Sequence, residues 1–271
     1  MNPVDGCVNL FKPLGASSAK AAYRLRRLTG QRKIGHAGTL DPAADGVLIA
    51  CLGRATKLVE MFMDLPKVYR AEARLDVTSD TLDREAPLVP VVVEKSPTID
   101  EVRRVLESFV GDIEQIPPLA SALKIGGRPA YRFARGGQQL ELPPRRVRVY
   151  TMTLLDYEWP VIRFEVRCGR GTYVRSLARD IGAAMGCGGC LTALTRTRVG
   201  PFNVASSWTP ERLRDAKPEE FVIPFESARA LVAEWRESDT HPAGERDHVA
   251  GNGTMRHEAP PSAATTSLRT G

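Results

Sequence analysis

In the stretch KIGHAGTLDPAADGVL, residues 33–48, a single acid, Asp41, stands behind Thr39 and Leu40 and ahead of Pro42. From Gly6 to Leu40 the chain carries no Asp or Glu, while Lys12, Lys20, Arg24, Arg26, Arg27, Arg32 and Lys33 supply seven positive charges. A residue before proline is biased to extended or turn backbone, so Asp41 belongs on a loop. Cations a few ångströms away lower a carboxyl pKa, which leads one to expect an ionised, immobilised acid. Such a group can serve as nucleophile, general base or metal ligand, or simply bond its own backbone in a turn. A metal would need companion carboxylates or histidines at close spacing, and only Asp45 is near. A lone carboxylate amid cations, Gly and a His suits a nucleophile acting on something delivered by a polyanion.

The charge distribution supports a polyanionic partner. The chain of 271 residues has a formal charge of +6, and a second acid-poor region, residues 124–148, holds Lys124, Arg128, Arg132, Arg135, Arg145, Arg146 and Arg148 against Glu141 alone. One such cluster is commonly a solvated face; two, both Arg-rich and both containing Gly and an aromatic, point to a phosphate backbone. No run approaches the roughly 20 apolar residues of a membrane span, and the N-terminus lacks a signal pattern, so a cytoplasmic location is expected. Five cysteines argue against a secreted disulfide scaffold. Cys187 and Cys190 form a CxxC, but GCGGC follows an apolar-periodic helix and reads as its glycine-rich stop more readily than as a zinc or redox site.

The elements that must position this chemistry follow from periodicity. Ser17 or Ser18 can cap a helix through AKAAYRLRRLT that stops at Gly30. VLIACLGRATKLVEMFM reads as a strand turning into a helix. YRAEARLDV alternates Tyr69, Ala71, Ala73, Leu75 and Val77 with charged residues, a strand with one buried face that carries Tyr69 inward. TIDEVRRVLESFVG offers a Thr98/Glu101 capping box, an apolar face of Ile99, Val102, Leu106 and Phe109, and Gly111 as the stop. VIRFEVRC is a second alternating strand, followed by a glycine turn and a helix with Val174, Leu177, Ala178, Ile181 and Met185 on one face. Neither a dinucleotide fingerprint nor a P-loop is present. The expected fold class is α+β, a mixed, mainly antiparallel central sheet with flanking helices. Residues 1–230 should form the catalytic domain, and 231–271, poor in large apolar residues, a disordered tail without a recognisable C-terminal RNA-binding domain.

The ordered motifs resemble those of the TruB family of tRNA pseudouridine synthases. FKPLGASS (11–18), GHAGTLDPAADGVLIACLGRATKL (35–58), KVYRAEARLDVTSDT, QIPPLASALKIGGRPAYRFARGG, CGRGTYVRSLARDIG and LTRTRVGPF follow in the family's order from residue 10 to about 225. The resemblance implies the pseudouridine synthase fold and an isomerase without metal or cofactor, converting a T-loop uridine of tRNA, conventionally position 55, to pseudouridine. It implies that Asp41 is the nucleophile, that Tyr69 stacks on the flipped uracil and is a candidate for proton abstraction, and that Arg175 pairs with Asp41. Whether the carboxylate adds to the sugar, adds to the base or promotes elimination stays open. By the same resemblance His36 fills the gap left in the loop, Lys12 and Pro13 shape the site, and Lys33, Lys124, Arg128, Tyr131, Arg135 and Tyr173 contact substrate RNA. Implied too are the tRNA T stem-loop as partner, no obligate protein partner, a monomer and a cytoplasmic enzyme; the rivals are a guide-dependent synthase and a non-catalytic RNA-binding or chaperone protein of the same fold. Phe11, Ala37, Ala120 and Asp45 depart from the family pattern. Asp45 would raise the pKa of Asp41 unless a Lys or Arg neutralises it.

Overall fold

Strict alternation in YRAEARLDV and VIRFEVRC produces two adjacent strands of one sheet. The computed structural model describes residues 4–121, 124–125, 128–129 and 142–239. Ten of its strands form this sheet: β1 (Gly6–Lys12), β2 (Ile34–Ala37), β3 (Asp45–Leu52), β4 (Lys67–Arg74), β5 (Gly111–Gln115), β6 (Arg145–Glu158), β7 (Val161–Cys168), β8 (Cys190–Val199), β9 (Phe202–Asn203) and β10 (Ile223–Pro224). The order is β10-β1-β3-β8-β4-β7-β6-β5, with β2 on β3 and β9 on β8. Among the described residues β3 and β8 are its only parallel neighbours, meeting at Thr195/Asp45 and Arg196/Gly46. The sheet is therefore mixed and mainly antiparallel, as the patterning implied.

Alternation decides which core each strand feeds. In β7, Ile162, Phe164, Val166 and Cys168 are buried, while outward-facing Arg163 and Glu165 pair with their register partners Glu72 and Arg70 on β4. These exposed pairs contribute little energy but suit the register. β3 is apolar on both faces: Val47, Ile49 and Cys51 enter one cluster and Leu48, Ala50 and Leu52 another. Its continuous apolar run follows from burial on both sides.

Helices cover these faces. The predicted first helix is two, α1 (Ser18–Tyr23) and α2 (Leu25–Thr29), capped by Ser17 and ended by Gly30 at φ 66°. After β3 a 3-10 turn leads into α3 (Val59–Met63). The capping box of α4 (Ile99–Ser108) forms as expected, with Thr98 and Glu101 each satisfying the other's backbone N–H. Val102 and Leu106 are buried on its inner face, whereas Ile99 is exposed. Gly111 opens β5 after this helix. α5 (Val174–Ala184) buries Val174, Leu177, Ala178 and Ile181. α6 (Pro218–Phe221) precedes α7 (Phe225–Asp239), which continues past the expected limit at residue 230, with Ala228 and Val232 buried where the helix packs on β1, β10 and the 3-10 turn. Residues 240–271 lie outside the described part.

Candidate active site

The loop Gly38–Ala44, which feeds β3, is clamped from two sides. Ser18 Oγ donates to the Leu40 carbonyl at 2.9 Å and accepts from the Leu40 N–H at 2.8 Å. From β8, Arg196 donates through Nη2 to the Gly38 carbonyl (3.0 Å) and through Nε to the Val47 carbonyl (2.7 Å). Gly46, at φ +106°, lets β3 pass so near β8 that a Cβ there would lie 2.3 Å from the Arg196 carbonyl oxygen. Asp41 thus sits on a loop, as expected, but on one tied by side-chain hydrogen bonds to α1 and to β8.

Asp41 meets Arg175, from the first turn of α5, with Arg175 Nη2 2.8 Å from Asp41 Oδ2. Arg175 is 4% exposed, and its other contacts fix its plane: Nη1 donates to the Thr81 carbonyl (3.0 Å), Nη2 to the Ala120 carbonyl (2.9 Å), and Nη1 lies 3.4 Å from Asp83 Oδ2. Asp83 is also buried, accepting from Thr81 Oγ1 (2.6 Å) and the Glu85 N–H (2.9 Å). Leu82, just before it, takes a left-handed φ of 61° within this turn. A buried arginine thus bridges one enclosed acid and one acid open to the cleft.

These charges set the proton affinity of Asp41. Burial pushes its pKa up, and the Asp83 carboxylate adds to that; Arg175 and Lys12 work against both, and the net shift is upward. This corrects the expectation that neighbouring cations would dominate. The second carboxylate acting on Asp41 is Asp83, not Asp45. Asp45 instead faces Lys12, whose pKa burial lowers to about 8 while Asp45 and Asp41 favour its charge.

Asp41, Tyr69, Tyr173 and Arg175 line one cleft of about 500 Å³, with Leu40, Leu194, Val174, Met63, Lys67, Arg170 and Arg196 among its other walls. Tyr69, buried on β4, has its pKa raised by burial, while Arg196 opposes that rise. The Tyr173 backbone is fixed by Gln115, which accepts from its N–H (2.8 Å) and donates to its carbonyl (3.1 Å). The structure therefore brings four of the sequence-selected residues together.

The other selected residues lie elsewhere. Lys12 is fully buried and donates to the carbonyls of Pro13 (3.0 Å) and Ala16 (2.7 Å), bracing the chain beside the loop. His36 ends near Thr39 Oγ1, 3.4 Å away, with its pKa lowered by burial and by Arg196. Lys33 is exposed just before β2. Lys124 and Arg128 lie on two short strands, Lys124–Ile125 and Arg128–Pro129, that pair antiparallel apart from the main sheet. Tyr131 and Arg135 fall outside the described residues. Cys190 is buried beside Ser79, and Cys187 bonds the Met185 carbonyl. Among the described residues no cluster of three or more His, Cys, Asp or Glu could hold a metal, and no helix is long and apolar enough to cross a membrane. The sequence pattern does not single out Asp83, Lys67 or Arg196 as site residues.

Comparison with known proteins yields a consistent set of similarities. The model of the TruB family pseudouridylate synthase N-terminal domain matches residues 26–174, and that of the tRNA pseudouridylate synthase B C-terminal domain matches residues 175–228. Their junction falls at the start of α5, yet β8 from the second match lies between β3 and β4 from the first. The tRNA pseudouridine synthase B of Bordetella avium is 44% identical over 78% of this chain and 88% of its own length. That of Aromatoleum aromaticum is 46% identical over 85% and 72%, and that of Clostridium kluyveri 40% identical over 83% and 78%. Among solved structures, a Cbf5-Nop10-Gar1 complex contains a chain matching with TM-score 0.64 and 29% identity over 83% of this chain. This chain spans 62% of that one's length.

Proposed function

The chain belongs to the TruB family of pseudouridylate synthases, and we propose that it converts the T-loop uridine of tRNA, position 55, to pseudouridine, with Asp41 as nucleophile. The observation that carries this reading is the Asp41 carboxylate, paired with buried Arg175, opening onto a cleft walled by Tyr69. Uridine in a structured loop hides its glycosidic bond, so the nucleotide must leave the stack and be held against an aromatic face. Tyr69, Leu194 and Val174 supply that enclosure.

The reaction is an isomerisation and consumes no co-substrate. The bond from the sugar to N1 breaks, the ring turns, a bond from the sugar to C5 forms, C5 loses its proton and N1 gains one. Partial desolvation of Asp41 favours nucleophilic attack, and Arg175 keeps the attacking oxygen aimed at the cleft. Tyr69 is the group in the cleft suited to relay the C5 proton. The two basic regions around Lys33 and Lys124–Arg135 would hold T-stem phosphates, positioning the loop while the pocket selects the base.

The relatives at 40–46% identity are tRNA pseudouridine synthases B, which favours an enzyme acting on tRNA over a guide-dependent one; a monomeric, cytoplasmic enzyme is part of the same proposal. The test is to incubate purified protein with an unmodified tRNA transcript, without metal or guide RNA, and map pseudouridine. Product in the T loop is expected. No product there would refute the reading, and product only with a guide would favour the guide-dependent alternative. Asp41→Asn should abolish turnover while leaving tRNA binding intact.

A further inference from the structure

Lys67 opens β4 two residues before Tyr69 and so shares its face of the strand. It is 6% exposed, its Nζ donates to the Met63 carbonyl, and it lines the cleft. Arg196 is the register partner of Tyr69 on β8, is 1% exposed, and also lines the cleft. Among the described residues neither cation forms a salt bridge with a carboxylate; Arg196 spends Nε and Nη2 on two backbone carbonyls. Burying an unpaired cation costs several kcal/mol, and two together cost more than either alone. Asp41 is a carboxylate in the same cleft, but it is paired with Arg175; two further unpaired cations are matched to an additional negative charge that arises during reaction.

Breaking the bond between the sugar and N1 creates that charge. The bonding electron pair leaves with the ring and spreads over N1, O2 and O4, whatever the subsequent fate of the sugar carbon. We propose that Lys67 is a catalytic residue whose ammonium, backed by the fixed charge of Arg196, hydrogen-bonds the uracil ring and stabilises the negative charge it acquires when detached. The lysine transfers no proton in this step; the ring later loses its C5 proton and gains one at N1. The assignment rests on the reading of the cleft as a uridine pocket. A strand phosphate is the poorer occupant, because Lys67 is almost wholly covered whereas phosphate contacts usually lie along an open groove.

The groups facing Lys67 are Arg196 from β8, Cys168 from β7, Arg170 from the turn after β7 and Asp64 from the end of α3. Asp64 is itself held by Arg170 at 2.9 Å. Burial and then Arg196 lower the pKa of Lys67 to about 8. The ammonium is therefore present below that pH and is lost above it.

The experiment compares the full-length protein with Lys67→Met on an unmodified tRNA transcript. For the variant, kcat should fall by about 100-fold, the loss typical of removing one donor to a developing anion. The Kd for the transcript and its salt dependence should stay unchanged. The wild-type kcat/KM profile should descend through an alkaline limb near pH 8 that Lys67→Met lacks. Wild-type kcat in the variant would overturn the assignment. So would unchanged kcat with weaker binding and a log Kd against log salt slope smaller by about 0.7–0.9, which would make Lys67 a phosphate contact. If the wild type makes no pseudouridine, the uridine-pocket reading fails first; if it does and Lys67→Met matches it, only the lysine's role fails.

Discussion

Arg175 reaches Asp41 Oδ2 at 2.8 Å from a position 4% exposed, its guanidinium plane fixed by the Thr81 and Ala120 carbonyls and by Asp83. Removing it would leave Asp83 buried without its cation, a loss of about 3–5 kcal/mol for a broken buried pair. Arg175→Met should therefore lower the urea midpoint substantially. Arg175→Lys retains the charge but cannot span the same four acceptors. It should cost less stability while reducing kcat by about 100-fold or more, because the carboxylate is no longer aimed. Denaturant titration and single-turnover kinetics on the two variants separate stability from aim.

The acid limb of activity should report Asp41. Burial and then Asp83 raise the pKa of Asp41, against the pull of Arg175 and Lys12, so this carboxyl becomes ionised at a higher pH than an ordinary aspartate. Asp83→Asn removes one negative neighbour and still offers an oxygen to Thr81 and to the Glu85 N–H. The acid limb of kcat/KM should then move to lower pH. An unchanged or upward-shifted limb would show that Asp83 does not act on Asp41 through charge.

The strands carrying Tyr69 and Phe164 were legible because alternation of period two needs only that one face be buried. Asp41 was legible for a different reason: it is one acid after a long basic run. Asp83 was not, because it sits in an irregular turn whose only local pattern is TSDTLD, and its importance arises from Arg175, 92 positions later. Arg196 and Lys67 were missed because Lys and Arg at alternating strand positions ordinarily face water. The signal that could have flagged Lys67 is its parity with Tyr69, Ala71 and Ala73 on the inward face of one strand. The period also could not show that α7 would continue past residue 230, since beyond it, among the described residues, only Leu231, Val232 and Trp235 pack on the core and Val232 alone is fully buried.

Gly46 is required by the approach of β3 to β8. Its φ of +106° is unfavourable for a residue with a side chain, and an added Cβ would fall 2.3 Å from the Arg196 carbonyl oxygen. Strain and overpacking together should make Gly46→Ala destabilising by about 2–5 kcal/mol. Because Arg196 also clamps Gly38, the variant should lose activity beyond its loss of folded protein. Comparing urea unfolding with turnover per folded molecule distinguishes the two effects.

Alkaline stability should follow the buried thiols. Burial raises Cys51 from 9.0 to about 12 and Cys168 to about 11, the latter against the opposing pull of Thr172, Lys67 and Arg196. A pKa raised on folding gives stability that is fully present below the unfolded value and is lost as pH rises through the folded one. From pH 9 upward the unfolded chain therefore releases thiol protons first, and each such thiol weakens the fold by up to about 1.4 kcal/mol per pH unit. Lys12 and Lys67, lowered on folding to about 8, act in the opposite direction between about 8 and 10.5. Cys7 is likewise raised, mainly by burial, so three thiols oppose two lysines and the net effect of these groups above pH 9 is destabilising. Urea midpoints measured under reducing conditions at pH 7.5, 9 and 10.5 should fall over the last interval, and Cys51→Ala should flatten that fall. An equally steep fall in Cys51→Ala would mean that ionisation of this thiol is not among its causes.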